Sequence, residues 1–114
     1  MKEILQDLGV DYETLLRRFS GNEAILRKFI LKFPKDQTFP ALQKQVEASA
    51  YQEIERSAHT LKGLSANLGF AQLSVYCADL VACVRGGDKE QTEALFDKVR
   101  EEYERIVKGL SGLC

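Results

Sequence analysis

A chain of 114 residues with 45% apolar and 29% charged side chains has the make-up of an ordinary soluble globular protein, long enough for one domain with a single core. Sixteen basic against seventeen acidic side chains leave a net charge of −1, so no general attraction to nucleic acid or to an anionic membrane is implied. Met1-Lys2-Glu3 opens no signal pattern, and the longest largely apolar segment, residues 73–84, is interrupted by Asp79 and too short to cross a bilayer.

In chain order, Ile4, Leu5 and Leu8 have helical spacing in a short amphipathic piece that Gly9 interrupts. Asp11 is placed to N-cap a short helix running to Phe19, with Leu15, Leu16 and Phe19 facing inward. Ser20-Gly21 breaks that helix, and Ser20 with Glu23 has capping-box spacing for the next. Ile25, Leu26, Phe29, Ile30 and Phe33 then form a broad stripe of core type, continued by Leu42 and Val46. Pro34 and Pro40 leave two readings open. Either the helix ends near Phe33 and restarts around residues 35–38, or one kinked helix reaches Ala48.

A helix over residues 51–68 follows, and Gly69 has the place of the left-handed residue that ends it, with Phe70 folding back on the last turn. Residues 71–84 carry Leu73, Tyr76, Cys77, Leu80, Val81 and Val84 at helical spacing. Gly86-Gly87 is the clearest turn, after which Asp88 and Gln91 have box-like spacing at the start of a last helix. Leu95, Phe96, Val99, Tyr103, Ile106, Val107 and Leu110 give that helix its buried stripe, and Lys108 complements its negative end. The pattern predicts an all-α protein, an antiparallel up-down-up-down four-helix bundle with one or two short helices at the N-terminus. Cys77, Cys83 and Cys114 are odd in number and have no Cys-x-x-Cys spacing, which argues against a disulfide framework or a zinc site. Cys77 and Cys83 are read as small buried hydrophobes of a reduced, cytoplasmic protein, and nothing is assigned to Cys114.

His59 is the only histidine. At about 100° per residue, one face of its helix collects Gln52, Glu55, Arg56, His59, Lys62, Gly63, Ala66 and Asn67, and the opposite face Ala50, Ile54, Ser57, Leu61, Leu64 and Leu68. His59 is therefore expected to point at solvent. An imidazole titrates near neutrality, so its neutral form offers a free ring nitrogen that attacks phosphorus. Lys62, three residues on, can hold positive charge beside phosphoryl oxygens. Gly63 lies where a side chain would stand over the ring, although glycine costs a helix roughly 0.5–1 kcal/mol relative to alanine.

His59-Thr60-Leu61-Lys62-Gly63 with Ala66-Asn67-Leu68-Gly69 resembles the signature of histidine-containing phosphotransfer (HPt) domains of bacterial phosphorelays. The likeness is strongest over about a dozen residues and extends loosely over most of the chain. It implies a helical bundle whose histidine takes a phosphoryl group from a receiver-domain aspartate and hands it to another. It also implies that His59 is the phosphoacceptor, Lys62 its charge partner and Gly63 the clearance position. The rim of Gln52, Arg56, Ala66 and Asn67 would meet the partner, and the helix through Pro34 and Pro40 is expected to be one kinked rod. The partners implied are response-regulator receiver domains or a hybrid sensor histidine kinase. The chain itself is expected to be a monomer.

The chain has no nucleotide-binding glycine loop, no acidic cluster for a metal and no second acid or base paired with His59. Autonomous kinase or ATPase activity is not expected, no cofactor of the chain's own is implied, and Mg²⁺ would come with the receiver. Each signal taken singly has a bland reading: a surface histidine, a solvated lysine, a tolerated glycine, a solvated helix face. Two other functions fit the same bundle. One is a phosphoacceptor module of a chemotaxis-type kinase, phosphorylated by an ATP-binding domain in trans; the other is a receiver-binding module without transfer.

Overall fold

The computed structural model describes residues 1–113, and Cys114 lies outside them. Among the described residues the elements are α1 (Lys2–Asp7), α2 (Tyr12–Arg18), α3 (Glu23–Lys32), α4 (Thr38–Glu47), α5 (Tyr51–Asn67), α6 (Ala71–Arg85) and α7 (Thr92–Leu110). No strand occurs among them. The last four helices pack in chain order, and α4 also meets α7, which closes the ring of a bundle. Three- to six-residue connections between α4, α5, α6 and α7 turn successive helices back on each other. The result is a rod of 42 × 23 × 19 Å.

The turns that fold this rod are built alike. At the end of α5, Gly69 stands at φ +80°; its N–H donates to the Ala66 carbonyl (3.1 Å) and the Phe70 N–H to the Ser65 carbonyl (2.8 Å). This is the double bond pattern of a Schellman stop, and the buried Phe70 folds back as the composition of the turn requires. Ser49 performs the same job after α4 at φ +52°, with Ala50 N–H on the Gln45 carbonyl. Ser20, expected to cap α3, is instead the left-handed residue that ends α2 (φ +55°). The cap of α3 is Asn22, whose side chain accepts from the Ile25 N–H, while Glu23 accepts from the Tyr12 hydroxyl. Asp11 does cap α2, accepting from the N–H and hydroxyl of Thr14, and these bonds hold its carboxyl below the usual range.

The expected kinked rod through Pro34 and Pro40 is not formed. Phe33–Lys35 make a 3₁₀ turn, Asp36 is extended (ψ 137°), and α4 restarts at Thr38 with the Asp36 carboxylate accepting its N–H at 2.8 Å. Pro40 then falls in the first turn of α4, where its missing N–H costs nothing. The break is held by aromatic packing: Phe33 lies against Phe70 and Tyr103, and Phe39 stacks on Tyr103 at 3.9 Å between centroids. Asp88 likewise makes no side-chain cap. A 3₁₀ turn over Lys89–Gln91 intervenes, so α7 begins at Thr92.

The buried stripe of α5 is rotated from the expected one. Ile54, Ala58, Leu61, Ser65 and Leu68 are buried, whereas Ser57, Leu64 and Ala50 are partly exposed. Two of these buried positions, Ala58 and Ser65, are small, and the Ser65 hydroxyl donates to the Leu61 carbonyl at 2.7 Å. Cys77 is buried as expected; Cys83 is only half-buried and its thiol donates to the Asp88 carbonyl.

The N-terminal segment is fastened directly to the end of α5. An added Cβ on Gly69 would stand 3.0 Å from Val10 Cγ1, and Val10, Tyr12 and Leu15 are buried. Gly69→Ala combines left-handed strain with that contact, and is expected to lower stability by about 1–2 kcal/mol in urea unfolding at unchanged slope.

Candidate functional site

His59 lies in the ninth position of the 17-residue α5, so its backbone is held by hydrogen bonds from both sides. Its side chain is exposed and has no hydrogen-bond partner among the described residues. The helix face around it is the one the spacing placed there: Gln52, Arg56, Gly63, Ala66 and Asn67 are exposed and Lys62 is partly exposed. The Lys62 carbonyl accepts from the Ser74 hydroxyl of α6 (3.1 Å), which fixes the backbone one turn beyond His59.

A Cβ built on Gly63 would meet nothing within 4 Å. Close packing inside the protein therefore does not explain this glycine; Gly109, by contrast, would collide with Leu8 at 2.7 Å. An exposed mid-helix glycine with open space above it only weakens the helix. Gly63→Ala is expected to raise stability by roughly 0.5–1 kcal/mol, read as a higher urea midpoint.

His59 opens onto a shallow depression of about 590 Å³ lined by Gln52, Glu55, Arg56, Thr60 and Arg85. Arg85 comes from the far end of α6 and pairs with Glu55 at 3.2 Å (Nε to Oε2). The sequence reading missed Arg85. Reflecting the chain about the Gly69 turn would have found it, since residues about equally distant from that turn on α5 and α6 come side by side.

On the other flank of α5, α3 departs from expectation. Ile25 and Phe29, read as core, are each 44% exposed, while Leu26 and Ile30 fill the interior. Phe29 lines a hollow of about 240 Å³ with Lys32, Phe33, Asp36, Leu64, Asn67 and Leu68. Phe19 packs on Phe29 at 5.3 Å between centroids. The side of α5 that carries Asn67 thus borders the hollow that the exposed Phe29 lines.

The remaining nucleophiles are poorly placed. Burial pushes the Cys77 thiol up to about 12, which leaves almost no thiolate at neutral pH. Tyr12 is also raised to about 12, first by burial and then by its bond to Glu23. Mapped by mass spectrometry after brief alkylation at about pH 8, Cys77 is expected to stay unmodified in the folded protein and to react once urea unfolds it. Among the described residues no group of three or more histidine, cysteine or acidic side chains gathers as a metal site. No helix among them is long and apolar enough to cross a membrane.

A family model described as Hpt domain matches residues 24–109. The chain therefore belongs to the Hpt domain family, whose members take part in phosphotransfer in two-component signalling and interact with receiver domains and histidine kinases. No curated protein and no solved structure matched it.

Proposed function

We propose that this chain is a phosphorelay intermediate in which His59 accepts a phosphoryl group from a receiver-domain aspartate and passes it to another receiver. The observation that carries this reading is an exposed imidazole in mid-helix, next to a glycine that nothing inside the protein requires. Clearance above Gly63 is of use only to something arriving from outside.

In the forward step, the lone pair of one ring nitrogen of neutral His59 attacks the phosphorus of the receiver's aspartyl phosphate. An N–P bond forms as the acyl O–P bond breaks, and the receiver's carboxylate leaves with the electron pair. The ring proton on the other nitrogen passes to solvent after transfer. The step reverses against the next receiver because both phosphorylated side chains are energetic. The helix holds the nucleophile in place and Lys62 offsets charge on the phosphoryl oxygens. Arg85, drawn from Glu55, and Arg56 add cations on the depression side. Magnesium would come with the receiver and would supply further neutralisation of the phosphoryl charge.

Docking is carried by the rim. Gln52, Arg56, Ala66 and Asn67 ring the imidazole, and the exposed Phe29 and Ile25 offer the apolar area that a standard interface centres on.

Incubation with an aspartyl-phosphorylated receiver is expected to give acid-labile, base-stable phosphate on the wild type and none on His59→Gln. Lys62→Ala should slow transfer roughly tenfold or shorten the phosphohistidine lifetime, with the fold intact by circular dichroism. Gly63→Ala should slow transfer by about tenfold or more while stabilising the helix. Label that arrives only from an ATP-fed kinase core, and never from a receiver, would reassign the chain to a chemotaxis-type phosphoacceptor. Receiver binding that survives His59→Gln, with no label on the wild type, would leave a docking module.

A further inference from the structure

Arg18 lies on α2, in a segment that precedes the matched residues 24–109. Its Nη1 donates to the carbonyls of Ala66 (2.9 Å) and Asn67 (3.3 Å), the last turn of the histidine helix. Those carbonyls are the negative end of α5, where a cation is favoured. Capping occupies one nitrogen only. Among the described residues Nε and Nη2 have no acceptor, Arg18 has no ion-pair partner, and its side chain is exposed.

The guanidinium is held by its two bonds to the helix end, and the segment that carries it is anchored by buried neighbours. Tyr12 at the start of α2 is buried and bonded to Glu23, and Val10 and Leu15 close on Gly69. Ala66 is seven residues from His59, which places it on the same stripe about 10 Å along the axis. Gly63 and Ala66 leave the strip between them nearly bare. A standard interface buries about 800 Å² per partner, a disc of roughly 16 Å radius, so one centred on His59 reaches Arg18.

We propose that Arg18 is a specificity-determining residue of the phosphotransfer face. It presents a fixed cation at the C-terminal edge of the histidine helix, and an acidic side chain on the docked receiver meets it there. The proposal rests on the phosphorelay reading above. Arg18 touches neither the imidazole nor the phosphoryl group, so it sets how tightly and with which receiver the chain docks, not the rate of transfer once docked.

The test titrates wild type, Arg18→Gln and Arg18→Lys with a panel of receiver domains from the same organism, each phosphorylated on its aspartate with acetyl phosphate. Glutamine keeps a neutral donor for the helix-end carbonyls and removes the charge. With the preferred receiver, Arg18→Gln should raise the half-saturating concentration about threefold to tenfold, leave the saturating rate within about twofold, and weaken the dependence on salt. Arg18→Lys should stay within about twofold of wild type, and the advantage of the preferred receiver over the others should shrink only in the glutamine variant. A second readout needs no variant: the Arg18 Nε–H resonance of the wild type should shift on titration with the unphosphorylated receiver. An unchanged half-saturation and salt slope, an unmoved resonance, or a loss confined to the saturating rate overturns the proposal. Absence of acid-labile phosphate on the wild type with every receiver instead overturns the phosphorelay reading, and the role of Arg18 falls with it.

Discussion

The close packing of α5 on α6 is the constraint from which the other features of this protein follow. Ala58, Leu61 and Ser65 on α5 are buried, and the left-handed Gly69 turns the chain from α5 into α6 within three residues. Because α6 and α4 together cover only the buried side of α5, the face that carries His59 is left to solvent. His59 sits midway along it, with unbroken helix on either side. A residue presented in this way stands over an open depression and needs no enclosed pocket, provided that the remaining chemistry arrives on a second protein.

The same contact brings charge to the histidine from elements far away in sequence. Arg85 returns beside Glu55 because α6 runs back along α5, and Arg18 reaches the far end because α2 is fastened to the Gly69 turn. With Arg56 and Lys62 on α5 itself, the face gathers cations from three helices, although the chain as a whole carries a net charge of −1. Such a local field acts on encounter rate and partner choice more than on stability.

Much of this is legible in the sequence itself. The orientation of His59 and the glycine stop at Gly69 follow from helical spacing and left-handed backbone chemistry, which are local properties. The failures were places where two local solutions compete. Ser20 has the offset of a capping box, but Asn22 is nearer the helix start and caps better, leaving Ser20 to end the previous helix. Pro34 and Pro40 fit a kink or a restart equally well from sequence; the aromatic cluster of Phe33, Phe39, Phe70 and Tyr103, assembled from three distant segments, holds the restart. Ile25 and Phe29 look like core because a stripe wider than the core needs reads the same whether its edge meets protein or a future partner. Arg18 and Arg85 were silent because their meaning is entirely tertiary.

On this reading the open imidazole of His59 forms a nitrogen–phosphorus bond at the expense of a receiver's acyl phosphate. ³¹P NMR of the wild-type chain mixed with a phosphorylated receiver measures this directly. The acyl phosphate resonance is expected to decay into a phosphoramidate resonance correlated with the His59 ring protons. Decay into inorganic phosphate alone, at the receiver's own hydrolysis rate, would contradict it.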